Sequence, residues 1–309
     1  VTLLASASYF LGQRPGSSLV LARRLQGECV NAIEHLTVWA LQADWRKPPN
    51  LAPHWLTELL YDLSSLIVDH FSNGTSPEPI VGLLSKLRRL TYSSGTSREV
   101  VHAEVASAVV KLRLAGSAWT LLPVFSGLDA VAWADAIRRP SFPKELWPSQ
   151  KLLGKAGLFA GRSGVVQMPT SAGKTRSVEI ILRSAFLAGR TRVAVVVAPF
   201  RALCHEIATS MRHAFKGEDV KVNELSDALQ LDFADQLAEW LGQLATTTRH
   251  LMVLTPEKLL YALRQEPTLI AHIGMVVYDE GHQFDTGSRG ITYELLLTDI
   301  KGMIKESAQ

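Results

Sequence analysis

The chain has 309 residues, 47% of them hydrophobic and 20% charged, with 32 basic and 29 acidic side chains and a formal net charge of +3. Such a length suits two domains, each with its own core, and the small net charge excludes a polyanion partner held by bulk charge, so any such site must be a local patch. Two cysteines, Cys29 and Cys204, lie far apart, and no apolar run approaches the ~18 residues that cross a bilayer; a disulfide framework, a cysteine metal site and a membrane helix are excluded, and a soluble, reducing, cytoplasmic setting is expected.

The chain starts Val1-Thr2-Leu3-Leu4 with neither methionine nor a basic leader, which suggests a portion of something longer. Residues 1–140 read as an all-α domain. Apolar residues recur at three and four positions over Ser17–Trp39, Trp55–Phe71 and Val100–Leu114, separated by turn-rich stretches such as Lys47-Pro48-Pro49-Asn50 and Ser72-Asn73-Gly74-Thr75-Ser76-Pro77. Before the third helix, Ser97 and Val100 give a partial capping signal. Five of the seven tryptophans, Trp39, Trp45, Trp55, Trp119 and Trp133, fall here; at helical spacing they are expected to fill the core rather than to form a base-stacking platform. The pairs Arg23-Arg24, Arg88-Arg89 and Arg138-Arg139 are expected on a solvated face.

From Ser141-Phe142-Pro143 onward the texture changes, and residues 141–309 alternate β-rich and helical segments, the pattern of a mostly parallel sheet with crossover helices. Candidate strands are Gly164–Met168, Arg192–Ala198, Val220–Asn223, His250–Thr255 and Met275–Asp279, several of them continuous apolar runs, as sheets covered on both faces require. The first leads into Pro169-Thr170-Ser171-Ala172-Gly173-Lys174-Thr175, which stands between that strand and a helix reaching Leu187. Strand, loop and helix in this order make a phosphate cradle. Backbone N–H groups at the helix start attract an anion, Lys174 adds a cation for the β- and γ-phosphates of ATP, and Thr175 offers its hydroxyl to Mg²⁺. Met168 stands where the strict phosphate-loop pattern wants glycine.

The last candidate strand ends in Asp279-Glu280-Gly281-His282, which sets two carboxylates at the carboxyl end of a sheet strand, where ligands sit in open α/β folds. Asp279 is suited to hold Mg²⁺ through water, and Glu280 to take a proton from the water that attacks the γ-phosphate.

With these residues in view, residues 146–309 resemble the first RecA-like domain of superfamily 2 helicases of the DExH type, in particular the superkiller-type branch. Pro169 to Thr175 is similar to motif I, Ala198-Pro199-Phe200-Arg201-Ala202-Leu203 to motif Ia, Thr255-Pro256-Glu257-Lys258-Leu259 to motif Ib and Asp279 to His282 to motif II, and Arg289-Gly290 and Tyr293-Glu294 follow motif II as in that branch. The resemblance implies that Gln150, in Leu146-Trp147-Pro148-Ser149-Gln150, reads the adenine edge. It implies that His282 joins the γ-phosphate network or reaches toward a second lobe. It also implies that Arg201, Thr255 and Pro256 face the phosphates and sugars of single-stranded DNA or RNA, and that the motor works with 3′→5′ polarity between two RecA-like lobes. After Gln309 neither a second lobe nor an arginine-finger motif follows in this sequence, so the 309 residues by themselves are expected to be nearly inactive.

Two functions are expected on this basis. The first is an ATP-dependent helicase or translocase. The second is an ATP-gated interaction module whose residues 1–140 recruit a protein partner, as in bacterial antiphage defence systems.

Overall fold

The computed structural model describes residues 2–25, 29–169, 172–225, 242, 248–282 and 287–307. The chain divides into two compact units, Val1–Ala156 and Gly157–Gln309.

The first unit is built from α1 (Thr2–Leu11), α2 (Pro15–Arg23), α3 (Ala32–Gln42), α4 (Thr57–Asn73), α5 (Glu78–Ser94), α6 (Ser97–Leu114), α7 (Ala118–Ser126), α8 (Ala130–Arg138) and α9 (Pro148–Lys155). The helical spacing read over Ser17–Trp39 belongs to two helices, α2 and α3, and the second starts where the Asn31 side chain accepts from Glu34 N–H at 2.9 Å. The cap of α6 lies one residue before the position read from sequence. Thr96 is the N-cap: its hydroxyl accepts from Glu99 N–H at 3.3 Å, and Glu99 Oε2 accepts from Thr96 N–H at 2.6 Å. This reciprocal pair satisfies two donors that the helix leaves open.

Leu36, Leu60, Leu63, Ile67, Phe71, Leu84 and Leu87 expose no surface in this core. Each such side chain contributes about 1.5–3 kcal/mol by leaving water. Four of the five tryptophans are buried, Trp39 and Trp45 in this core, where Trp45 stacks on Phe71 at 4.4 Å between ring centroids and Trp39 meets Trp45 edge-on at 5.0 Å. Trp55 differs. Its ring is half exposed, and its indole N–H donates to Glu99 at 2.9 Å.

Residues 141–156 knit to the helices before them: Ala118 N–H donates to Lys144 O, and Leu146 N–H to Gly116 O, both at 2.8 Å. Gly154 allows α9 to close on α7, because a Cβ there would stand 2.2 Å from the Phe125 ring.

The second unit is a RecA-like α/β fold. Its helices are α10 (Lys174–Leu187), α11 (Arg201–Ala214), α12 (Pro256–Gln265) and α13 (Gly287–Ser307). Its strands are β1 (Val193–Val197), β2 (Val220–Glu224), β3 (Arg249–Leu254) and β4 (Ile273–Tyr278), all parallel, in the order β2-β3-β1-β4. Side chains alternate between the two faces of a strand. Val193, Val195 and Val197 therefore pack with Leu259, Leu263, Tyr293 and Leu296 of α12 and α13, whereas Ala194 and Val196 pack with Leu182 and Phe186 of α10 and Ile207 and Met211 of α11. Helices on both faces explain why β1 is apolar throughout.

Gly164–Met168 is not a strand. Val165 is fully exposed and Val166 is 42% exposed, in irregular backbone. An apolar run becomes a strand only through a hydrogen-bonded neighbour, and among the described residues β4 is the last strand of the sheet on its side, with no ladder to residues 164–168.

Candidate functional site

The loop before α10 turns through Ala172 N–H, which donates to Pro169 O at 3.1 Å, and Gly173 then takes φ +83°, a conformation that favours glycine. Thr170 and Ser171 lie outside the described residues. The first intrahelical bond of α10 runs from Ser177 N–H to Gly173 O at 2.9 Å, and no side chain caps this end, so the N–H groups of Lys174, Thr175 and Arg176 have no acceptor within the helix. They form the positive end of a helix of fourteen residues.

Across from it stands the end of β4. Asp279 N–H donates to Val197 O at 2.8 Å, continuing the parallel ladder by one residue. Glu280 follows with φ +52°, a left-handed backbone that costs a non-glycine residue of order 1 kcal/mol or more and turns its carboxylate away from the strand direction. Lys174 Nζ lies 3.3 Å from Glu280 Oε1, and His282 Nδ1 lies 3.1 Å from Glu280 Oε2. Lys174, Thr175, Asp279 and Glu280 line one cavity of about 310 Å³, together with Val178, Leu203, Ile207 and Glu206.

Burial, and after it the charge of Glu280, pushes the Asp279 carboxyl above the usual aspartate range, and Glu206 acts in the same direction. Carboxylates held this close welcome a divalent cation. Among the described residues no three His, Cys, Asp or Glu side chains cluster as a ready-made metal cage. The donors present, a hydroxyl and carboxylates beside an anion cradle, fit Mg²⁺, which keeps water and takes few protein ligands.

Arg201, at the start of α11, shares a second cavity of about 550 Å³ with Thr255, Phe200, Lys258 and Tyr261. Thr255 precedes α12 and is buried, Pro256 is its first residue, and Arg201 is exposed. Burial, and then the neighbouring Arg201, lower the Lys258 ammonium below the ordinary lysine range. Both cavities lie at the carboxyl ends of strands, as expected for an open parallel sheet. Gln150 sits on α9 in the helical unit, buried, with Oε1 accepting from Trp147 N–H at 2.9 Å.

Sequence reasoning did not single out Glu206, Phe200, Lys258 or Tyr261. Phe200 and Lys258 stand inside motif segments quoted above, so their position was a signal. Glu206 and Tyr261 carried none, since they reach the cavities only through the packing of α11 and α12.

A parallel α/β sheet with a cation at a helix head facing two carboxylates at a strand end is the arrangement of a nucleotide-binding fold. The family model for DEAD/DEAH box helicases matches residues 147–309, and the chain belongs to that family. It is 28% identical over 196 residues to the Hachiman protein HamB of Bacillus cereus, a match that covers 62% of this chain and 17% of that protein. It is 32% identical over 159 residues to the ATP-dependent DNA helicase Hel308 of Thermococcus kodakarensis, covering 52% of this chain and 13% of that protein, and 29% identical over 159 residues to Hel308 of Pyrococcus abyssi, covering 52% and 21%. The chain thus spans a small part of the length of these curated relatives. No helix among the described residues is long and apolar enough to cross a membrane.

Proposed function

We propose that the protein to which this chain belongs hydrolyses ATP to move along single-stranded nucleic acid, and that residues 157–309 form the first lobe of its motor. The observation that supports this most is the meeting of Lys174 and Glu280, 106 positions apart in sequence, in one cavity with Thr175 and Asp279. In this reading the free N–H groups at the head of α10 and the Lys174 ammonium hold the β- and γ-phosphates. Pro169 to Gly173 wrap them, and Thr175 and Asp279 hold Mg²⁺. When bound, the ion neutralises charge on the phosphate oxygens. Glu280 accepts the proton of the attacking water as the new O–P bond forms and the bond to the β-phosphate oxygen breaks, and His282 orients the Glu280 carboxylate.

Arg201, Thr255 and Pro256 then contact the strand backbone, which carries no base information. The relatives named as DNA helicases favour DNA over RNA, and the superkiller-type branch with 3′→5′ movement rests on the motif residues. A second lobe supplies an arginine worth about 10³–10⁵ in rate in related nucleotidases, so the 309 residues alone turn over ATP far more slowly than the whole protein. Steady-state ATP hydrolysis and strand displacement by the whole protein test this reading. Loss of both in a folded Lys174→Ala variant is expected, and retention of hydrolysis overturns it.

A second reading, an ATP-gated module that recruits a protein partner in antiphage defence, is favoured by one observation. The likeness to HamB covers a larger share of the chain than residues 147–309 occupy, so it enters the helical unit. Strand displacement separates the two: a module that hydrolyses ATP without unwinding supports the second.

A further inference from the structure

The helical unit contains a cavity that the motor chemistry does not use, of about 450 Å³ and lined only by residues between Phe10 and Lys155. Pockets of this size take small organic ligands.

Its floor is polar but closed. Arg113 is buried over the Phe10 ring at 4.1 Å, donates to Ala40 O at 3.0 Å and Leu41 O at 2.8 Å, and grips both oxygens of Glu145 at 3.0 and 3.1 Å. The Trp45 indole N–H is turned toward Glu145 without reaching hydrogen-bond geometry, and among the described residues it has no other acceptor. Lys144 is also committed, since its amine caps the end of α8 at Ile137 O and Arg139 O.

The remaining two cations differ. Lys151 and Lys155, one turn apart on α9, line the cavity, and their ammonium groups make no hydrogen bond or ion pair among the described residues. Lys151 Nζ is packed beside the end of α6, where a Cβ on Gly116 would stand 3.2 Å from it. Burial, and to a lesser degree the charge of Lys155, depress its ammonium below the ordinary lysine range, while Glu145 acts the other way. An incoming anion relieves that cost.

The lining as a whole carries four cations, Arg113, Lys144, Lys151 and Lys155, against the single carboxylate of Glu145. Around them the walls are apolar: Phe10, Pro15, Leu19 and Leu112 line the cavity, and Trp147 and Leu152 lie at it with 39% and 66% of their surface exposed. A partly exposed indole lining the same cavity as two uncommitted ammonium groups suits a ring that carries negative charge.

We propose that this cavity binds an aromatic organic anion, a planar ring bearing a phosphate or carboxylate, with the ring against Trp147 and the charged group on Lys151 and Lys155. The site is independent of the Lys174 cavity and of the function proposed for it.

The test is calorimetric titration of the 309-residue chain with 1-naphthyl phosphate, beside inorganic phosphate and neutral 1-naphthol as the two halves of that probe. Binding at least about tenfold tighter than either half is expected, weakened about tenfold or more in the folded double variant Lys151→Gln, Lys155→Gln. Trp147→Ala should weaken it and Trp147→Phe should retain it, while Lys174→Ala leaves it unchanged. No binding at millimolar probe, equal affinity for 1-naphthol, or loss in Lys174→Ala with no effect of the lysine pair would each overturn the proposal.

Discussion

Lys174 and Glu280 are joined by an ion pair of 3.3 Å, with about a third of each side chain exposed. Exposed pairs of this kind contribute only about 0.2–1 kcal/mol, so the lysine is parked on the carboxylate rather than locked to it. In the proposed mechanism a phosphate with two or more negative oxygens takes over the ammonium and frees Glu280 to act on water. Glu280→Gln is expected to retain ATP binding in the whole protein but to hydrolyse it about 10²-fold or more slowly, the scale of a lost general base. Equilibrium nucleotide binding measured beside single-turnover hydrolysis checks this; loss of binding with turnover preserved would reverse the roles of Glu280 and Asp279.

Asp279 bears a cost that the proposed Mg²⁺ site would offset. With its carboxyl raised above the ordinary 3.8 by burial and by Glu280, the group is protonated in folded and unfolded chains alike below that pH and costs nothing there. As pH rises from 3.8 toward the raised value the unfolded chain ionises first, so the folded state loses relative stability, and the full cost stands once the folded carboxyl has ionised too. Asp279→Asn should therefore melt higher than the parent at pH 7 without Mg²⁺, by a margin that closes below pH 3.8, while losing the Mg²⁺-dependent part of hydrolysis. Thermal melts across pH, with and without Mg²⁺, decide it.

Arg201 and Lys258 crowd one cavity at the heads of α11 and α12, close enough for Arg201 to depress the Lys258 ammonium. In the proposed function a strand phosphate bound between them would offset that repulsion. Arg201→Ala is expected to weaken single-strand binding about equally for all sequences and to lower the slope of log affinity against log salt by about one unit. Titrations of homopolymers at several salt concentrations measure both, and a loss confined to one base would mean that the site reads bases.

The cap of α6 carries a pH signature of its own. Hydrogen bonds to Glu99, first from Thr96 N–H and then from the Trp55 indole, the Thr96 hydroxyl and His54, lower its pKa from 4.5 to about 2. A depressed carboxylate contributes stability that is present above pH 4.5 and lost as pH falls toward 2. Glu99→Gln should cost about 1–3 kcal/mol at pH 7, the scale of hydrogen bonds to a charged group, with the difference shrinking through that window. Urea denaturation at pH 7 and pH 3 tests the trend.

Much of this protein was legible locally. The apolar runs of β1 and β3, the glycine before Lys174 and the carboxylates after β4 are patterns in which neighbouring residues determine burial and backbone conformation, and the family resemblance rests on them. What depended on distant chain segments was not legible. Gly164–Met168 has the composition of a strand, yet whether it joins a ladder is decided by the strand beside it. Trp55 has the same chemistry as Trp45, but only the packing of α3, α4 and α6 puts one against Phe71 and leaves the other half exposed on Glu99. The pairing of Lys174 with Glu280, the approach of Glu206 and the gathering of Lys151 and Lys155 over the Arg113–Glu145 pair all require elements far apart in sequence to meet. Sequence periodicity specifies which face an element buries, whereas parallel register and helix packing choose the neighbour it is buried against.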